Sequence, residues 1–542
     1  MQVFADTIIE NGKVAAMVEE GRFDEALAIK DGRIAAVGTA SEIALWAGPE
    51  TVRIDAGGRT VLPGFVECHV HADLYGARIH RWADFSYPKV RSKDEVLSII
   101  AERAATLPAD AWCAGFRYDD NKLGGYPTRE ELDQAGGGRP VFVFRTDCHL
   151  GVASSEALRR AKLGGDYPDP PFGRTDRHPG TGEPTGLLRE NAAYAVIDEI
   201  MRDYTADDFA AGLGTVFAEF LSYGITSLHN SLTTSHGIRA YQTLRREGRL
   251  PMRIGVIVSG KEDGLVESVI RSGIRSGFGD EWVRIVGVEW CPDCSTSGRT
   301  AAYYEPYIGK PIVGEPENNT GMLLYSPEDF TRRVTEATAA GLTVCADGVG
   351  DRGVDFVLDA FEAALAAHPS QDHRMRVEHS CCVPPAIRER MKRLGVIPTS
   401  ATGFMYDLGE AYIANRGAAA MKDMFPHRSW KELGVIAPGH SDAPICHPNP
   451  MRGIYSLVTR RTDRGGDLDG SEAVGVWDAL RAYTYDGAYA GREEHLKGTL
   501  EPGKLADIAI LDADVFTVDE ERIPEIASWM TLVDGKVVHG AA

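Results

Sequence analysis

Apolar positions along the middle of this chain alternate between two periods. Short, nearly continuous apolar runs read as buried strands at residues 61–71, 225–229, 252–258, 283–289, 342–347, 375–379, 395–400 and 435–442. Several gaps between them carry apolar residues at helical spacing, as in the stretches that begin at Pro327 and Val354. Eight strands separated by helices are the count of a (β/α)8 TIM barrel, an α/β fold whose chemistry sits at the carboxyl ends of its strands. The two ends of the chain follow another style. Asp31-Gly32 separates two alternating runs in residues 26–37, and Asp534-Gly535 does so near the C-terminus, each the mark of a tight hairpin. The expected layout is a composite β-sandwich domain from residues 1–60 plus 490–542 around a barrel at 61–489. Residues 73–205 are far more than one crossover needs. They include the Pro- and Gly-rich run that starts at Asp166 and read as a subdomain inserted over the barrel mouth after strand 1.

Charge narrows the partners. With 58 basic and 79 acidic residues the 542-residue chain carries a formal charge of −21, which repels phosphate backbones and anionic lipid, so no nucleic acid and no membrane surface is expected. The expected partners are a small-molecule substrate and a second copy of the chain in a homodimer. No apolar run approaches a bilayer span, and the start, Met1 to Thr7, lacks the pattern of a signal peptide. Nine cysteines spread thinly suggest a reduced, cytoplasmic protein rather than a disulfide scaffold. Cys291-Pro-Asp-Cys294 has C-x-x-C spacing but no second cysteine pair to complete a zinc knuckle, and reads as packing or loop cysteines.

The candidate chemistry starts at His69-Val-His71, which closes the first strand. Strand side chains alternate faces, so the two imidazoles point the same way, about 7 Å apart along the chain, a natural start for a divalent-metal site. Other strand ends supply Glu289, Asp347, His379 and Asp442. Each alone has a bland reading, since a strand-end Asp is usually a cap and Glu378-His379 could be a buried pair. Three imidazoles and three carboxylates at successive strand ends suit one or two divalent cations. His440 shares a face with Asp442 and reads as a hydrogen-bonded interior histidine rather than a ligand.

This series resembles the amidohydrolase superfamily, and more closely its YtcJ-like branch, which includes N-substituted formamide deformylases. The likeness runs through Leu62-Pro-Gly-Phe-Val-Glu-Cys-His-Val-His71, Arg145-Thr-Asp-Cys-His149, Gly182 to Leu188 with Glu190, and Tyr223 to His229. It continues through Ser295 to Ala302, Gly350-Asp-Arg352, Arg376-Val-Glu-His379, Ser441-Asp-Ala-Pro444 and Leu500 to Asp507. The resemblance implies a zinc-type hydrolase, with Mn or Fe as other candidate ions. Its metal ligands would be His69, His71, Glu289, Asp347, His379 and Asp442, and Asp442 would also carry the catalytic proton. His149, His229, Arg145 and Glu190 would then line or orient the substrate pocket. Two positions depart from the branch: Glu289 stands where a carboxylated lysine is usual, and Asp347 where a histidine is. Glu289 keeps an oxygen ligand and Asp347 puts oxygen in place of nitrogen; the second makes the site less positive, so that either the chemistry runs at higher pH or the site prefers an oxygen-loving ion such as Mn2+ or Fe2+ beside Zn2+. The expected reaction is hydrolysis of an amide, formamide or cyclic amide C–N bond by metal-activated water. A metal-dependent decarboxylase, a C–C or ester hydrolase, and a ligand-binding homologue without turnover are the alternatives on the same scaffold.

Overall fold

The computed structural model describes residues 3–165, 167–311 and 315–540; Met1 and Asp166, both named above, lie outside these. Seven of the expected strands form one sheet: β1 (Phe65–Val70), β2 (Ile225–Thr233), β3 (Arg253–Ser259), β4 (Val283–Trp290), β5 (Val344–Gly348), β6 (Arg376–His379) and β7 (Ile397–Ser400). Each strand pairs in parallel with the next in sequence, so the spatial order is the chain order. Sequential, parallel pairing demands a crossover at every step. The helices Pro327–Ala339 and Asp351–Ala367 supply two of them, where helical spacing places them. Ser326 caps the first of these through the Asp329 N–H, and Pro327 occupies the position where a missing N–H costs nothing.

The stretch expected as an eighth strand, 435–442, does not form a ladder. It makes one isolated parallel bridge, Ser400 with Gly439. Pro438 has no N–H to give, and the Gly439 N–H donates outward to the Ala482 carbonyl at 3.1 Å. The segment nevertheless spans the gap between the sheet edges. The Ser400 N–H donates to Pro438 O at 2.8 Å on the β7 side, and the His71 N–H to Ala443 O at 2.9 Å on the β1 side. The result is a nearly closed parallel sheet with its carboxyl ends gathered at one mouth.

The long insertion contains its own six-stranded sheet, built between Ala83 and Glu190. It is flanked in sequence by two helices, α1 (Ala72–Arg81) and α2 (Ala206–Ser222). These cross at Gly76 and Gly212, so closely that a Cβ on Gly212 would lie 1.8 Å from the Gly76 carbonyl oxygen; only glycine fits there.

Both chain ends form strands. A four-stranded sheet comes from the N-terminal residues alone, and a five-stranded one joins Lys13–Val14 and Thr60–Pro63 to the three C-terminal strands. The Asp-Gly hairpins turn where expected, with φ of 51° and 72° at Asp31 and Gly32 and of 55° and 71° at Asp534 and Gly535, the positive values that a type I′ turn needs. One apolar cluster, including Leu27, Ile29, Val61, Ile508 and Met530, holds the two sheets together. Asp507, from the last matching motif, fixes them to the parallel sheet: its carboxylate takes a fork of hydrogen bonds from Arg253 of β3, Nε at 2.5 Å and Nη2 at 2.9 Å, with both side chains buried. Removing one partner of a buried pair strands the other charge at a cost of about 3–5 kcal/mol. Asp507→Ala should therefore lower stability by that much in urea or thermal unfolding, and the apolar double replacement Arg253→Met with Asp507→Leu should recover most of it. A loss below about 1 kcal/mol in the single variant would show that the pair does not anchor the terminal sheets.

Candidate metal centre

The carboxyl end of β1 presents His69 and His71 to one side, as strand alternation requires, with ring centres 5.3 Å apart. Each ring is turned by a hydrogen bond at Nδ1. His69 Nδ1 lies 2.8 Å from Glu378 Oε2, and His71 Nδ1 lies 3.1 Å from the Ser231 carbonyl oxygen. Such bonds fix the tautomer and leave Nε2 with its lone pair outward, the usual support behind a metal-binding histidine. Both outward nitrogens face the same atom: Asp442 Oδ1 is 3.3 Å from His69 Nε2 and 3.1 Å from His71 Nε2. Donor atoms about 2.0–2.1 Å from a tetrahedral ion lie roughly 3.3–3.4 Å from one another. Acceptors at this spacing repel unless a proton or a metal ion stands between them.

Buried atoms without a hydrogen-bond partner among the described residues mark the rest of the centre. They are His69 Nε2, Glu289 Oε1, Asp347 Oδ1, His379 Nδ1 and Asp442 Oδ1. Glu289 holds its other oxygen against the Leu232 N–H at 2.9 Å. His379 stands between the two sides, with Nε2 3.6 Å from Asp347 Oδ1 and Nδ1 4.0 Å from Asp442 Oδ2. His379 and Asp442 adopt φ of 67° and 59°, a region that side chains other than glycine enter at a cost, and one found where a site fixes a side chain's aim. Ligand-type atoms of His69, His71 and Asp442 form one group that could hold a metal, and those of Glu289, Cys291 and Asp347 form a second.

The electrostatics agree with this geometry. Burial works against a charged His69, yet Glu289 and Asp442 outweigh it and hold the imidazole well above its usual range. Burial and the Glu289 charge push the Asp347 carboxyl well up. Burial alone would raise Asp442, but the imidazoles of His69 and His71 overcome it and hold the carboxyl well below its usual value. Burial brings His379 down to about 3, a neutral ring with a free nitrogen. The site thus draws positive charge, and a divalent cation fits it.

Supports lie one layer deeper. Arg376 donates to both oxygens of Glu378, at 2.7 and 2.8 Å, and to the Cys68 carbonyl at 2.7 Å, so the carboxylate behind His69 is itself fixed. Glu67, on β1, accepts the Ser441 N–H at 3.0 Å and so places the residue before Asp442. Burial raises this carboxyl to about 8.

The remaining sequence candidates fall in different places. A cavity of about 280 Å³ opens over the centre, lined among others by His71, His149, Lys261, Cys291, His379 and Asp442. His149 reaches it from the inserted subdomain and is paired with Glu190 at 2.7 Å; burial opposes its charge, but Glu190 prevails and lifts it to about 9. Glu190 is fully buried and acts behind His149. Arg145 does not line the cavity: it is buried against Asp120 at 2.6 Å and Ser297 at 3.0 Å and ties the subdomain to the loop after β4. His229 corrects the expectation of a pocket residue. β2 continues to Thr233, so His229 sits in mid-strand, buried between Arg376 at 3.3 Å and Glu493 at 3.6 Å, and is not among the residues lining the cavity. His440 is buried as expected, but neither ring nitrogen has a hydrogen-bond partner among the described residues. Cys291 is a loop cysteine, one residue past β4, and it lines the cavity. Its signal was Glu289-x-Cys291, the same-face spacing that picked out His69-x-His71. Lys261, two residues past β3, carried no sequence signal.

Candidate ligands at the strand ends of a parallel sheet define a class, and the chain belongs to the Amidohydrolase family, whose profile matches residues 53–539. It is 27% identical over 545 residues to N-substituted formamide deformylase of Arthrobacter pascens, spanning 99% of this chain and 98% of that protein. To YtcJ of Bacillus subtilis (strain 168) it is 26% identical over 98% of this chain and 99% of the relative. The solved structure of an uncharacterized metal-dependent hydrolase from Pyrococcus horikoshii OT3 shares the fold, with a TM-score of 0.75 at 24% identity over 95% of this chain and 99% of that one. No helix among the described residues is long and apolar enough to cross a membrane.

Two outcomes follow from the ligand geometry. The double variant His69→Ala with His71→Ala should fold yet lose metal by elemental analysis, and full occupancy would remove both as ligands. Glu378→Gln keeps the shape behind His69 but weakens its orientation, so metal affinity in a competition titration with a chelator should fall about 10- to 100-fold. Unchanged affinity would mean that Glu378 does not support the ligand.

Proposed function

We propose that this protein is a metal-dependent hydrolase that opens the C–N bond of a small amide, formamide or cyclic amide. The observation that carries the reading is the set of buried atoms from His69, Glu289, Asp347, His379 and Asp442 that have no hydrogen-bond partner among the described residues, gathered at one end of the parallel sheet. We read that sheet, with the segment 438–443 in the eighth place, as a (β/α)8 barrel. The terminal sheets are its composite β-sandwich, from residues 1–60 and 490–542, and residues 73–205 are its inserted subdomain. Resemblance to the formamide deformylase supports the bond class.

His69, His71, Glu289, Asp347, His379 and Asp442 would hold one or two divalent ions, Zn, Mn or Fe. When bound, such an ion supplies Lewis-acid polarisation of a carbonyl and lowers the pKa of water. The chain's own residues do the rest. Asp442 Oδ1 faces the two imidazoles, which leaves Oδ2 to take the proton from the attacking water and pass it to the departing nitrogen, a general acid–base role. The His149 imidazolium, held by Glu190, reaches the same cavity and can donate to a substrate oxygen. Leu74, Ile197, Met201, Phe209 and Ile445 give the cavity an apolar wall that suits an alkyl or aryl substituent and keeps water from the reacting bond.

Asp442→Asn preserves size but removes the base, and kcat on a responsive substrate from a panel of formamides, amides, cyclic amides and esters should fall about 10²- to 10⁴-fold with the fold intact. Near-normal turnover would take Asp442 out of the chemistry. Release of CO2 from carboxylated aromatics, with no hydrolysis across the panel, would put a decarboxylase in place of this reading.

A further inference from the structure

The metal-dependent reading assigns oxygen and nitrogen ligands only, yet a sulfur atom stands at the second half of the centre. β4 ends at Trp290, and Cys291 follows Glu289 by two residues, so both side chains project to the same side, as His69 and His71 do at the end of β1. Cys291 is only 3% exposed, and its exposed face lines the cavity over the centre. Its Sγ, a carboxylate oxygen of Glu289 and one of Asp347 all lie within 4.8 Å of one another. Glu289 Oε1 and Asp347 Oδ1 are buried without a hydrogen-bond partner among the described residues. A cation between them would satisfy both oxygens, and the thiol is placed beside them.

A cation also stands near the sulfur. Lys261, on the loop after β3, lines the same cavity and lies within electrostatic reach of Cys291 and Asp347. Its ammonium makes no ion pair among the described residues and rests over the Tyr194 ring at 4.2 Å. Burial and the Asp347 carboxylate nevertheless push the Cys291 thiol well up, so the sulfur keeps its proton until an ion displaces it, and Lys261 then offsets part of the negative charge that two carboxylates and a sulfur bring to one ion. Cys294 differs: it groups instead with His149 and Glu190, away from this set.

We infer that Cys291 is a metal ligand, and that with Glu289 and Asp347 it makes the second half of the centre a mixed sulfur–oxygen site for a borderline or soft divalent ion. Binding replaces the thiol proton by the metal–sulfur bond and releases that proton. Sulfur ligation shifts the preference of this half from Mn2+ toward Zn2+, Co2+ or Cd2+, whereas the His69, His71, Asp442 half has no sulfur. The inference rests on the metal-dependent reading and can fail separately from it.

Cobalt provides the probe, because Co2+ bound by thiolate shows a sulfur-to-metal charge-transfer band in the near ultraviolet that nitrogen and oxygen ligands do not give. Metal-free protein titrated with Co2+ should develop that band, and Cys294→Ser should keep it. Cys291→Ser should lose it while retaining the visible cobalt bands of the histidine half, which also report that the variant is folded. Cobalt binding by the wild type without the charge-transfer band overturns the inference and leaves the hydrolase reading standing. A band that survives in folded Cys291→Ser overturns it as well, by assigning the sulfur to another cysteine. A wild-type protein that binds no cobalt overturns both this inference and the metal-dependent reading beneath it.

Discussion

Burying a carboxylate without a partner costs several kcal/mol, and burying several within reach of one another costs more. Four lie together at the carboxyl ends of this sheet: Glu289, Asp347, Glu378 and Asp442. The protein neutralises one of them itself, through the forked hydrogen bonds from Arg376 to Glu378. The other three converge with imidazole nitrogens whose lone pairs also face inward. A divalent cation would satisfy carboxylates and imidazole lone pairs together at these spacings. The positive φ at His379 and Asp442, the aim of His69 and the raised range of its imidazole all follow from that constraint.

The remainder of the fold serves to hold this unfavourable cluster in place. Parallel strands in sequential order bring residues as distant as His69 and Asp442 within 3.3 Å. The segment that bridges the sheet edges is fixed from both sides, by Ser400 and His71 backbones and by the Glu67 carboxylate. Behind the sheet, Arg253 and Asp507 lock the terminal strands to β3. In front of it, the stretch between β1 and β2 contributes His149 together with Leu74, Ile197, Met201 and Phe209 to the cavity wall.

What could be read in the sequence was local. His69-x-His71 needed only strand alternation, and the Asp-Gly turns needed only backbone preference, so both appear as expected. Seven strands were legible from continuous apolar runs. The eighth was not, because its apolar residues look like a strand while Pro438 and the outward Gly439 N–H deny it a ladder. His229 was misplaced for a related reason: the apolar run shows where a strand is but not how far it continues, and four more residues of β2 move the side chain from the mouth to the interior. Lys261 and the Arg376–Glu378–His69 relay depend on contacts between distant segments, which no spacing encodes. Cys291 had a usable signal in its register with Glu289, hidden by the more familiar C-x-x-C spacing with Cys294.

The central claim, that the strand-end cluster exists to hold a divalent cation, is tested most directly by anomalous scattering from crystals of the zinc-loaded protein, with data on both sides of the metal edge. The account predicts an anomalous peak about 2.0–2.2 Å from His69 Nε2, His71 Nε2 and an Asp442 oxygen. Electron density in which those three atoms are satisfied by water or by one another, with no anomalous peak among them at full zinc saturation, would contradict it.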